Sequence, residues 1–163
     1  MSRPWLRAFG VVAVAASLTG CLSPTERSDD DMSSATAAPL SATDAAAAAP
    51  DLLANGGLAL PADSSDIEVD IVTYGEFREV SVTRFTAPRA AAEAVCTNAG
   101  SRPTEARATL LTTYEKDMLG TFAVQPGMTG CEVWADPKTG SRVFISADEP
   151  ARVTVLTFRM PSR

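Results

Sequence analysis

The sequence predicts an α+β fold, an antiparallel sheet of about five strands with one or two helices packed on a face. Three observations predict it. Apolar and polar residues alternate in five separate segments beyond residue 66, one alanine-rich run carries helix start and stop signals, and the connections between the last three segments have hairpin chemistry.

The first segment is Ile67-Glu68-Val69-Asp70-Ile71, the period of a half-buried strand, with Leu60-Pro61-Ala62-Asp63 as the turn that opens it. Gly75 breaks the run. Glu79-Val80-Ser81-Val82-Thr83 alternates again, but Phe85 is out of phase with Val80 and Val82, which predicts a bulge or twist near Arg84. Pro88 then opens a helix through Ala92, Val95, Cys96 and Ala99, which share one narrow face, and Asn98 to Gly100 stop it. A face of small side chains lets a helix lie close on a sheet. Ala106, Leu110, Leu111, Tyr114 and Met118 fit a second helix capped by Thr104. Three strands follow at 131–135, 142–147 and 152–159, joined by Asp136-Pro137-Lys138-Thr139-Gly140 and Asp148-Glu149-Pro150.

Composition narrows the function classes. The chain has 163 residues, enough for one domain, with 14 Lys and Arg, 20 Asp and Glu, and a formal charge of −6. That balance argues against a nucleic-acid partner, because such binding rests on cationic side chains that displace counterions. Histidine is absent, so Ser-His-Asp, Cys-His and His-zinc chemistries are excluded. No phosphate-cradling glycine motif occurs, and neither Lys116 nor Lys138 lies in a Ser-x-x-Lys context. The acids of residues 58–163 alternate with apolar residues or sit in turns, as solvated positions do. The expectation is a non-catalytic protein with no cofactor and no metal. Asp29, Asp30 and Asp31 lack the glycine turn and bidentate Glu of a calcium loop.

The N-terminus carries the strongest motif. Arg3 and Arg7 precede an uncharged apolar run over residues 8–17, too short to cross a bilayer core of ~30 Å. The segment closes with Leu18-Thr19-Gly20-Cys21. This resembles the lipobox of bacterial lipoproteins, an apolar residue, a small residue, Gly or Ala, then cysteine. The resemblance implies that residues 1–20 are a signal peptide and that Cys21 becomes the acylated first residue. Leu22 stands where an Asp would signal inner-membrane retention. Starting at Cys21 the chain has 12 basic and 20 acidic residues, so acyl chains and not charge must hold it to anionic lipid. Leu60-Pro61-Ala62-Asp63 and Phe85-Thr86-Ala87-Pro88-Arg89 are also similar to segments of small actinobacterial lipoproteins, as is the alanine-rich, lysine-poor composition.

Residues 22–57 lack aromatic residues and periodicity, and read as a disordered tether with an r.m.s. reach of ~30 Å. Pro50 interrupts the alanine run over residues 45–49, which otherwise favours helix. The expected organisation is a signal at 1–20, a lipidated cysteine and tether at 21–57, and one α+β domain at 58–163.

Strand phase sorts the remaining candidates. Cys131 and Val133 share a face with Val143, Ile145, Val153 and Val155. If the helix bearing Cys96 covers that face, Cys96 and Cys131 can meet. With Cys21 acylated they are the one even pair of thiols, in the oxidising surroundings that export implies. The opposite phase gathers Trp134, Phe144, Leu156 and Phe158, which are either core under the 104–118 segment or an apolar patch for a partner or ligand. The expectation is thus a lipid-anchored protein on the extracytoplasmic face of the cell membrane. There it serves as an interaction module for another envelope protein, or alternatively as a binder of a small apolar ligand.

Overall fold

The computed structural model describes residues 36–74, 77–107, 111–112, 116 and 124–160. Residues 1–35, with the expected signal segment and Cys21, lie outside the described residues.

The order of elements is β1 (Thr36–Pro39), α1 (Ala42–Asn55), β2 (Ser65–Tyr74), β3 (Phe77–Ala87), α2 (Arg89–Asn98), β4 (Thr104–Glu105), β5 (Thr129–Trp134), β6 (Thr139–Ile145) and β7 (Ala151–Arg159). The seven strands form one antiparallel sheet in the order β1-β2-β3-β7-β6-β5-β4. The α+β class is as the sequence predicts. The five longer strands are the five expected, and short β1 and β4 are added at the edges.

Where residues 22–57 read as a tether, the described chain is already folded at Thr36. Ser41 caps α1, its Oγ accepting the Asp44 amide at 3.2 Å. Ala45, Ala49 and Leu53, one turn apart, are each about fully buried against the sheet. Pro50 sits inside the helix without ending it. Its missing amide orphans the Ala46 carbonyl on the exposed face, where water can serve it, while burial on the other face offsets the cost.

Both described helices end by the same device. The Leu58 amide donates to Leu53 O at 2.9 Å and Gly57 to Ala54 O at 3.0 Å, with Gly57 at φ 79°. At the end of α2, Ser101 donates to Cys96 O at 3.0 Å and Gly100, φ 77°, to Thr97 O at 3.1 Å. The start of α2 has no side-chain cap of its own, because Pro88 occupies the position. Glu149, from the β6–β7 turn, accepts the Arg89 amide instead, and Arg89 Nη1 donates to Ser146 O at 2.6 Å. A carboxylate at a helix N-terminus also complements the macrodipole.

The irregularity expected near Arg84 lies across from it, on β2 between Ser65 and Glu68, whose partners are Thr86 and Arg84. β3 pairs with β7 without interruption from Val80 to Ala87, and Phe85 faces the side opposite Val80 and Val82. Both faces of the sheet are buried, so in-phase and out-of-phase residues are equally apolar. The irregularities fall on the β2–β3 pairing, between Ser65 and Glu68 and between Val72 and Tyr74. Asp66 takes the first at φ 51°, a left-handed conformation that Asp tolerates. Gly75, expected to break this hairpin, lies outside the described residues.

One face packs against α1 and α2 through Phe85, Ala87, Val133, Val143, Ile145, Val153 and Val155, with Val69 under α1. The other gathers Val72, Val80, Val82, Met128, Phe144, Leu156 and Phe158, with Ala106, Leu111 and Val124 packed over them. Thr104 is in strand β4 and does not cap a helix; Leu110, Tyr114 and Met118 of the expected second helix lie outside the described residues.

Cys96 and Cys131 are joined, with Cα atoms 6.0 Å apart and a sequence separation of 35. The bond ties α2 to β5. Cys96→Ser combined with Cys131→Ser is expected to lower stability by about 3–4 kcal/mol in the chain-entropy model; urea unfolding of oxidised wild type and the double variant checks this.

Candidate functional site

The four residues that strand phase gathers on one face divide in the structure. Phe144, Leu156 and Phe158 are core, 5%, 0% and 7% exposed, while Trp134 is 48% exposed. Together they do not make an open apolar patch, because Ala106, Leu111 and Val124 lie over that face. Trp134 remains, at the end of β5.

Its position is set by a glycine. Gly140 pairs with both Trp134 and Phe158 across the sheet, and the two rings meet edge to face with centroids 5.6 Å apart and planes at 87°. A Cβ on Gly140 would lie 3.0 Å from Phe158 Cζ and 3.1 Å from Trp134 Cε3. The rings thus close over the place where a side chain is missing, the device by which aromatics rescue a strand glycine. Trp134 Nε1 donates to Glu132 Oε1 at 2.7 Å, and Glu132 Oε2 accepts Arg142 Nε at 3.2 Å and Nη2 at 3.1 Å. The indole is held by a ring, a carboxylate and, through it, a guanidinium. Such a pre-oriented aromatic loses little freedom when a partner covers it.

The β5–β6 turn next to it is built on Asp136. Its Oδ1 accepts the Lys138 amide at 2.6 Å and the Thr139 amide at 2.8 Å. The turn's exit is fastened to β7 by the Met160 amide, which donates to Lys138 O at 2.7 Å. Hydrogen bonds from the Lys138 amide first, then from the Thr139 hydroxyl and amide, hold the Asp136 carboxyl below its ordinary range, with the Arg159 charge adding a little.

Cys21, the expected lipidation site, lies outside the described residues. Among the described residues no group of three or more His, Cys, Asp or Glu is placed to hold a metal ion, and no helix is long and apolar enough to cross a membrane. Sequence reasoning found Trp134 by its phase and missed what orients it. Glu132 was legible as its same-face neighbour, but the Gly140 gap requires knowing that β6 lies between Trp134 and Phe158.

Comparison with protein-family models, with curated proteins and with solved structures finds no match.

Because its folded pKa is depressed, ionised Asp136 stabilises the fold above the unfolded carboxyl value of about 4, and that contribution disappears as pH falls below it. Asp136→Asn, which cannot ionise, should therefore melt below wild type at pH 7 by a margin that narrows steadily from pH 5 to pH 2; melting curves across that range by circular dichroism test it.

Proposed function

We propose that this chain is a lipid-anchored, extracytoplasmic, non-catalytic module that holds or modulates another protein of the cell envelope. The observation that carries the reading is the Cys96–Cys131 bond. It uses the two cysteines beyond the lipobox-like segment and leaves Cys21 as the remaining thiol. A persistent disulfide is at home outside the reducing cytosol. Acylation of Cys21, cleavage before it and attachment to the outer face of the membrane then follow from one signal, and two or more chains make the attachment stable.

The contact with a partner is assigned to Trp134. An exposed tryptophan braced by Glu132 and Phe158 is the kind of side chain that dominates protein interfaces. Cross-linking on intact cells followed by mass spectrometry is expected to recover an N-terminal peptide that starts at acylated Cys21, and an envelope protein joined near Trp134. Cys21→Ala should release the chain from the membrane. Trp134→Ala should lose the partner at least tenfold while circular dichroism remains that of the wild type; an unacylated chain retaining its initiator methionine, or an undiminished cross-link, refutes the corresponding part.

The alternative, a small apolar ligand, is favoured by a different feature. The loop from Leu58 to Pro61 runs between α1 and α2 and leaves a cleft on either side, of about 330 Å³ against Ala91, Ala94 and Val95 and about 440 Å³ against Pro50, Ala54 and Ile67. Native mass spectrometry of protein purified without detergent should then show a bound apolar adduct, and protein that is always empty counts against it.

A further inference from the structure

Most of the helix-covered face of the sheet is apolar. The row Val69, Thr83, Val155, Val143 and Cys131 runs across five strands with one hydroxyl in it. The next row, Ser81, Thr157 and Ser141, is hydroxyl on three consecutive strands. Gly56, at the end of α1, is pressed on it so closely that a Cβ there would stand 1.9 Å from Ser141 Oγ. Ser141 and Thr157 satisfy one another at 3.0 Å. Ser81 does not share in that bond.

Ser81 is 5% exposed as a residue, and it is not one of the buried hydroxyls left without a partner among the described residues. Ser81 lines a cleft of about 380 Å³ under the last turn of α1. Small-molecule sites run from about 300 to 1,000 Å³. Polar groups reach the cleft from separate parts of the chain: Asn55 from α1, Thr139 from β6, Thr157 and Arg159 from β7 and Asp136 from the turn. Arg159 makes no hydrogen bond or ion pair among the described residues and acts on Asp136 through its charge.

We propose that this cleft binds a neutral polyhydroxylated ligand of the saccharide class, with Ser81, Asn55 and Arg159 as its hydrogen-bonding groups. The charges of Arg159 and Asp136 balance, so the cleft does not select an ion. The Asn55 amide and the Arg159 guanidinium are planar groups that match the vicinal hydroxyls of a sugar ring, each presenting paired polar atoms. The Ser81 hydroxyl lines the cleft and can both donate to and accept from a sugar hydroxyl. Leu52 provides an apolar wall for the C–H face of the ring. This assignment does not rest on the membrane anchor or on Trp134, which lies on the other face of the sheet.

The test is a titration of the ¹⁵N-labelled full chain with glucose, galactose, N-acetylglucosamine, trehalose and, as the charged control, glucuronate. At least one neutral sugar should give saturable amide shifts confined to the neighbourhood of Asn55, Ser81, Thr157 and Arg159. Ser81→Ala, which removes the hydroxyl and adds no bulk, should weaken that binding at least tenfold. Asn55→Ala, at an exposed position, should weaken it too and serves if Ser81→Ala alters the spectrum of the free protein. Absence of saturable shifts, shifts elsewhere, binding of glucuronate alone, or binding unchanged in both variants overturns the proposal.

Discussion

A sheet that is apolar on both faces must be covered twice, and most of this structure follows from that constraint. Leaving either face in water would expose side chains such as Phe85 or Leu156, each contributing about 1.5–3 kcal/mol when buried. The helices answer on one side. On the other, Ala106, Leu111 and Val124 lie over Val82, Phe144 and Phe158. The two coverings are fastened by different means. α2 is clamped at both ends, by Glu149 and Arg89 at its start and by the disulfide near its end. α1 is held by the close seat of Gly56 on Ser141 and by the capped turn that carries Leu58 back into the core.

Legibility from sequence tracked how local each signal was. The long strands, their hairpin connections and α2 were readable because alternation and turn chemistry are written in neighbouring residues. The partnership of Cys96 and Cys131 was readable from strand phase and the parity of thiols. α1 was not, since alanine occupies its buried and its exposed sides alike. Ala45 and Ala49 differ from Ala46 and Ala47 in burial and not in kind, so no amphipathic pattern marks the helix. The cap on α2 comes from a residue 60 positions away, beyond any local rule. Thr104 reads equally well as a helix cap and as the strand residue that it is.

The candidate site divides along the same line. Phase brought Trp134, Phe144, Leu156 and Phe158 to one face correctly, but phase does not report what lies above a face. The fate of that set was decided by tertiary covering, which leaves three in the core and one at the rim. Gly140 converts the fourth into an oriented surface residue, and the reason is visible only when β6 is known to separate the rings. Likewise, hydroxyls at Ser81, Ser141 and Thr157 are scattered in sequence and become a row through registry alone. The two proposed surfaces sit on opposite sides of the sheet, so occupation of one leaves the other open.

The position of β1 has a consequence for the proposed anchoring. Thr36 stands fifteen positions beyond Cys21, and a chain of that length spans at most about 55 Å however it is arranged. If Cys21 is acylated as proposed, the sheet stays within that distance of the headgroups, and a partner has to present itself there, as the outward loops of an embedded protein do.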